Sequence, residues 1–413
     1  LAKERPALPV ILAGLCTTQI IAWGILYYAF PVLSARIAAD TGWTTASVTV
    51  AYSAGLVVSA LLGIPVGKVL DRRGPRLVMT AGSVLGVAGL VMIASAANYW
   101  VFLAGWLTAG VAMAGNLYPP AFAAVTRWYG ARRVFALMMI TLIGGLASTV
   151  FAPVTEALTE TFDWRGVYLV LAAVLGVVAI PVHGVVLRRP WPVEPRGPGH
   201  GGALEPDAAE GQSEAAYARQ VMRSPAYVLM TVGLTLGGMA MFAAMINLVP
   251  MLIERGVSSG LAAWILGLGG LGQVIGRLFY MSLERRLSVR ARHLWIYGLL
   301  AVSTAALALD ATNAVWLIAI SMVAGVGRGI STLLKATAVT DRWGPRAYGR
   351  LSGVFNAPVM FGIAISPALG AWLAELLGSW EMMYLVLAVI GALAVIALLF
   401  SVPRQRPSGA PPQ

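Results

Sequence analysis

Twelve mainly apolar stretches alternate with short polar connections along this chain. They fall near residues 9–34, 46–69, 77–96, 100–125, 134–158, 165–187, 226–252, 260–283, 293–310, 314–339, 349–375 and 382–402. A membrane-crossing helix needs about 20 mainly apolar residues, so the pattern predicts twelve transmembrane helices. The pattern also repeats. Arg127-Trp128 returns as Arg342-Trp343, and Trp164 with Tyr168-Leu169-Val170-Leu171 returns as Trp380 with Tyr384-Leu385-Val386-Leu387, at offsets of 215 and 216 positions. Ala152-Pro153 and Ser366-Pro367 lie between these anchors, nearly in register. The chain reads as an all-α membrane protein of two pseudo-symmetric six-helix bundles, residues 1–187 and 225–403. Repeated hydrophobic halves that enclose a site near the bilayer midplane are a transporter architecture.

Residues 188–212 are rich in Pro, Gly and acidic residues and read as a linker. A short amphipathic helix is expected over 213–224, capped by Ser213, which completes a connecting segment of 188–224; residues 404–413 form a tail. The first apolar stretch is too long for a secretory core and lacks an A-x-A site, so it is expected to remain as a helix.

Composition agrees with this picture. Hydrophobic residues make up 59% of the chain and charged ones 11%, against roughly 25% charged in average globular proteins. The net charge of +12 is a topology signal. With connections placed alternately on two sides, 23 of the 29 Lys and Arg lie on the side that holds both termini. Only Arg36, Arg165 and Arg255 lie on the other. Basic residues flank the cytoplasmic ends of spans, so both termini are expected to be cytoplasmic. Nucleic acid would need those charges on one soluble face, and no segment is long enough to form one. Cys16 is the single cysteine, and His183, His200 and His293 are scattered, so neither a metal nor a cofactor is expected. No nucleophile–base pair or phosphate-binding loop suggests an enzyme.

Between the second and third stretches stands Gly67-Lys68-Val69-Leu70-Asp71-Arg72-Arg73-Gly74-Pro75-Arg76. It resembles the signature loop of the major facilitator superfamily, G-x-x-x-D-R-x-G-x-R, at every fixed position. The resemblance implies the major facilitator fold and a gating role for Gly67, Asp71, Arg72, Gly74 and Arg76. Gly67 would permit close helix approach, and Asp71 would hold the halves together until the cytoplasmic side opens. Glu284-Arg285-Arg286 is a degraded second copy.

Three cations fall inside spans: Arg277, Arg328 and Lys335. A central Arg costs roughly 2.5–3.5 kcal/mol on insertion scales and is retained for function or structure. No Asp or Glu is central in any stretch, so the cavity is electropositive and its natural counter-ion is an anionic substrate. Gly272-Gln273-Val274-Ile275-Gly276-Arg277 resembles the span-eight pattern of monocarboxylate transporters and oxalate/formate carriers. There the Arg binds substrate and a polar residue, here Gln273, precedes it by one turn. Asn116-Leu117-Tyr118-Pro119-Pro120 is similar to the Tyr-containing span-four segment of bacterial members, which implies substrate contact at Tyr118 and Asn116. The Lys of the oxalate carrier's span eleven is absent, with Asn356 the polar residue there.

Glu254 lies where bacterial monocarboxylate carriers place a proton-linked acid; the alternative is a loop Glu paired with Arg255. Gln19, Trp23 and Tyr27 form a stripe in span one, so Trp23 and Tyr27 are expected in the cavity and Tyr28 as an interfacial anchor. Asn247 and Asn356 are further polar liners. The expected partners are a small organic anion, protons or an exchanged anion, and the lipid bilayer, with a monomer in a bacterial inner membrane. Two rivals stand apart. A drug/proton antiporter would show a Gly-Pro core in span five, where this chain has Gly144 to Pro153 without one. A ligand sensor on the carrier fold would add a soluble output domain.

Overall fold

The computed structural model describes residues 7–191, 208–309, 312–344 and 347–402. Among these residues every regular element is a helix. Eleven helices are long and apolar enough to cross a membrane. Spans one to eight are Leu8–Thr41, Thr45–Arg73, Pro75–Ala94, Tyr99–Tyr129, Arg133–Leu158, Trp164–Val186, Pro225–Ile246 and Ser259–Tyr280. Spans ten to twelve are Ala314–Thr337, Arg350–Leu377 and Trp380–Phe400. Val289–Leu307 is the ninth and completes the twelve, more polar because Arg290, Arg292 and His293 fill its first turns. It starts a turn before the apolar stretch read from residue 293, because the Ser288 hydroxyl caps it by accepting the Ala291 amide.

The connecting helix Ala208–Met222 runs through Ser213, so that residue is not its cap. Its Ala218 and Val221 are buried against the second half, and the Tyr217 hydroxyl donates to the Trp343 carbonyl. The remaining expected linker, 192–207, and the tail 404–413 lie outside the described residues.

Packing in one half repeats in the other. Spans two and four, three and four, three and six, and one and five pair in the first half. Eight and ten, nine and ten, nine and twelve, and seven and eleven pair in the second. One glycine contact recurs with the pattern. A Cβ added to Gly110 would lie 2.1 Å from the Gly55 carbonyl oxygen, and one added to Gly325 would lie 2.0 Å from that of Gly269. Small residues let helix backbones touch, which gains dispersion energy where lipid removes any hydrophobic drive between helices.

The halves meet through spans two and eleven and spans five and eight. On the side away from the termini, Arg36 donates to Glu156 (2.6 Å) in its own half and to Ser259 Oγ (3.1 Å) in the other. Beside it the Ala46 amide donates to Glu375 (2.8 Å). At mid-depth the Ala368 amide donates to Ser53 Oγ (3.0 Å), and Thr149 Oγ1 donates to the Gly267 carbonyl (2.8 Å). Toward the termini the contact fails: no residue from 57 to 69 is buried, and a Cβ at Gly63 or Gly67 would meet nothing within 4 Å. Gly67, expected at a close helix approach, therefore faces open space. The far side is closed and the terminal side splayed.

Four spans break near mid-depth, where their backbones must turn toward or away from the seam. Span one contains a π turn at Gly24–Tyr28, and span four breaks at extended Leu117 ahead of Pro119-Pro120. Span five breaks at Leu146 after Gly144-Gly145, and span seven at Asn247.

Candidate functional site

The π turn in span one sets the site. Gly24 has no side chain, and a Cβ there would lie 2.1 Å from the Phe151 ring of span five; the two helices can touch only because it is glycine. A π turn inserts a residue into the helical register and so rotates the positions after it. Tyr28, expected as an interfacial anchor, is consequently buried at the seam beside Ser148 of span five. Both Arg277 and Arg328 of the other half lie close enough to bear on its phenol. This Tyr28–Ser148 pair was missed in the sequence, whose periodicity assumes an unbroken helix.

Arg328 is buried, with 6% of its surface exposed. Its guanidinium lies against Gly269 and near Tyr27, Tyr28 and Tyr384, and its Nε has no hydrogen-bond partner. Among the described residues no carboxylate pairs with it. It also lines a narrow cavity with Met241, Met245, Thr304 and Ser321. Burying a cation without a partner is costly, so the absence of a protein counter-charge is the site's main electrostatic feature.

Arg277 crosses the seam nearer the terminal side. Its Nη1 donates to the Thr141 carbonyl of span five, beside Gly145 and the Tyr118 phenol. It too has no carboxylate partner among the described residues. Gln273, one turn away, is half-buried, and its carbonyl abuts Gly329 of span ten. Lys335 is half-buried one heptad beyond Arg328 on span ten.

Aromatic rings wall the first half. Trp23 contacts Tyr27 and Tyr118 with centroids 5.3 and 4.9 Å apart, and Tyr118 stacks on Phe122 at 5.0 Å. Trp23 Nε1 and the Tyr27 hydroxyl are buried without partners. The arrangement brings Trp23, Tyr27, Tyr28, Tyr118, Gln273, Arg277 and Arg328 to the seam, with Arg277 nearer the terminal side and Arg328 deeper.

Other expected residues lie elsewhere. Asn116 is fully buried inside the first half, where its carbonyl accepts from Gln19 (2.6 Å) and its side chain meets Ser83, which in turn meets His183 (2.8 Å). Asn247 ties span seven to span eleven by donating to the Ala243 and Pro367 carbonyls. Both brace helix breaks. Asn356 is half-buried in the terminal part of span eleven. Glu254 accepts from Trp380 Nε1 at 2.5 Å, while Arg255 turns to Glu381 (3.0 Å) and three backbone carbonyls. The expected Glu254–Arg255 pair is therefore absent, because a ring 126 positions away competes for the carboxylate.

In the loop after span two, Asp71 pairs with Arg127 of span four at 2.9 Å. Trp191 donates to the Asp71 carbonyl, stacks under Arg127 and packs on Gly74, whose positive φ of 77° suits glycine. Arg76 donates to the Gly184 carbonyl (2.9 Å), and Arg72 is exposed. Among the described residues no group of three His, Cys, Asp or Glu could hold a metal ion.

Comparison with known proteins places this geometry. The family model described as Major Facilitator Superfamily matches residues 15–309 and 229–413. Human monocarboxylate transporter 11 is 29% identical over 66% of this chain and 57% of its own length. The chain thus spans little more than half of that relative. Zebrafish (Danio rerio) monocarboxylate transporter 12-B is 25% identical over 83% of this chain and 76% of its own. Multidrug resistance protein MdtH of Klebsiella pneumoniae is 24% identical over 93% and 92%. Among solved structures, the nucleoside transporter NupG superposes with a TM-score of 0.71 at 14% identity, covering 95% of this chain and 98% of that one.

Proposed function

The chain belongs to the Major Facilitator Superfamily, and from that premise we propose that it carries a small organic anion across a membrane by alternating access. The observation that supports this most is the pair of guanidiniums, Arg277 against Thr141 and Gly145 and Arg328 against Gly269, neither of which has a carboxylate partner among the described residues. A carboxylate ligand supplies the missing charge, and an Arg fork binds it through two parallel hydrogen bonds. Tyr28, Tyr118 and Trp23 add donors from the opposite half, and Gln273 and Tyr27 flank them. The relatives named as monocarboxylate transporters favour the same substrate class.

With both termini in the cytoplasm of a bacterial inner membrane, the splayed side opens inward. Substrate then enters or leaves past Asn356 and Lys335, while Arg36 and Glu375 close the outside. In this state Asp71 is held by its own half through Arg127. When the inner side closes, Asp71 meets the other half, and it thereby adjusts the balance of open states without touching substrate. The carrier couples to protons or to an exchanged anion. Efflux of drugs is the second reading, favoured by the nearly full-length likeness to MdtH; a cationic seam disfavours cationic drugs.

Counterflow of carboxylates in proteoliposomes tests the proposal. Arg277→Lys keeps the charge and loses the planar fork, so carboxylate affinity should fall at least about tenfold, the loss of a charge-assisted bond. Parent-like binding and transport by Arg277→Lys would make Arg277 structural and overturn the reading.

A further inference from the structure

Resting on the anion-carrier reading, we infer that the site takes a substrate with two anionic groups, Arg277 holding one and Arg328 the other. The two guanidiniums are not equivalent. Arg277 already has a protein acceptor in the Thr141 carbonyl and lies on the side from which the splayed seam is entered. Arg328 is deeper, on a different helix, and buried with its Nε unpartnered. Arg277 lies seven and eight residues beyond Gly270 and Gly269 on span eight, where Ser148 and the Arg328 guanidinium respectively abut the helix. At 1.5 Å rise per residue this is roughly 10–12 Å along the axis, measured from the Arg328 guanidinium to the Arg277 backbone. One carboxylate cannot engage both forks fully across such a spread. Two carboxylates joined by a short chain can, with Tyr28 and Ser148 between them.

Charge balance points the same way. A singly charged ligand on Arg277 would leave Arg328 buried and uncompensated, since no Asp or Glu pairs with it among the described residues. A second anionic group on the ligand removes that cost. Substrate chemistry, carboxylates or a carboxylate with a phosphonate, is then selected by charge spacing at the seam.

The test compares acids of matched chain length, propionate, butyrate and valerate against malonate, succinate and glutarate, by thermal shift and calorimetry on the purified protein. The parent should bind at least one diacid about tenfold more tightly than its monoacid partner, the value of one further charge-assisted contact. Arg328→Gln should erase that preference, weakening the diacid at least about tenfold more than its monoacid partner. Arg328→Lys should keep part of the preference because the charge remains. If monoacids bind the parent and no diacid binds better, the two-point inference falls while the anion-carrier reading stands. If no acid of either series binds the parent, both fall. Equal loss of both series in a monodisperse Arg328→Gln protein also overturns the inference. Should that variant fail to fold, the parent's diacid-to-monoacid ratio decides alone.

Discussion

The two halves share a scaffold and divide the chemistry. Near their far ends the same bonds recur. Trp164 of span six donates to Asp40 of span one at 2.8 Å, and Trp380 of span twelve donates to Glu254 of span seven at 2.5 Å. Gly55 with Gly110 and Gly269 with Gly325 recur at offsets of 214 and 215. At the centre the correspondence is lost. At the same offset, Arg328 falls opposite Met113, which is fully buried. Tyr28 falls opposite Phe242, and Tyr118 opposite Leu333. Phenols sit on one side of the seam and guanidiniums on the other. Repetition thus marks what holds the helices, and its failure falls at the proposed substrate site.

The terminal ends diverge as well. Arg127 is partly exposed and pairs with Asp71, whereas its repeat Arg342 is half-buried and donates to Ser401 and the Ala338 carbonyl. Burial pushes the Arg342 pKa down to about 10, partly offset by Asp341; it stays charged near neutral pH. Glu284, the counterpart of Asp71, faces Arg292 within its own half.

Replacing Arg328 with the residue of the other half, Arg328→Met, should produce the largest effect. Removing a buried unpaired charge for an apolar side chain is often neutral or stabilising by about 1–4 kcal/mol. The ligand-free protein should therefore melt at the same or a higher temperature, while diacid binding drops at least about tenfold. A strongly destabilised Arg328→Met protein would show that the guanidinium serves the fold.

Glu254→Gln tests whether the far-end pairs are equivalent. Trading a charged acceptor for a neutral one should cost about 1 kcal/mol in thermal unfolding, with Asp40→Asn similar because both carboxylates are exposed. Neither should alter the pH profile of transport. A profile displaced by Glu254→Gln alone would restore a proton-linked role and break the symmetry.

Arg36→Gln removes the cross-half bond to Ser259. The far side should open several-fold more often, an effect of about 1 kcal/mol for a partly exposed pair, read by labelling a cysteine placed at Ala46. Unchanged labelling would assign the closure to the Ala46–Glu375 contact. Asp71→Asn should be the mildest: its side chain is 67% exposed, so stability should move by less than about 1 kcal/mol. Turnover should slow at unchanged affinity. Normal turnover would leave the loop as a topology signal.

Much of this was legible before any coordinates. Apolar length and the Arg-Trp and Trp-Tyr anchors define twelve helices in two halves, and the cost of burying Arg277 and Arg328 marks the seam. Residues whose role depends on a distant partner were not legible. Glu254 resembles a functional acid until Trp380 is seen to occupy it, and Asn116 and Asn247 resemble liners until Ser83 and two backbone carbonyls, respectively, are seen to hold their side chains. Tyr28 was hidden by a different cause: a single inserted residue in the π turn changes which face it occupies, and helical periodicity carries no trace of that.

The mid-depth bonds between the halves have a mechanical consequence. Ser53 with Ala368 and Thr149 with Gly267 join opposing helices close to the level of the Arg328 guanidinium. Spans two and four, and eight and ten, are in backbone contact through glycine and so behave as stiff levers. Levers joined near their middles travel least at the fulcrum and most at their tips. On the proposed function, a cargo at that level would pass from one compartment to the other while itself hardly moving, the work of transport being done at the ends.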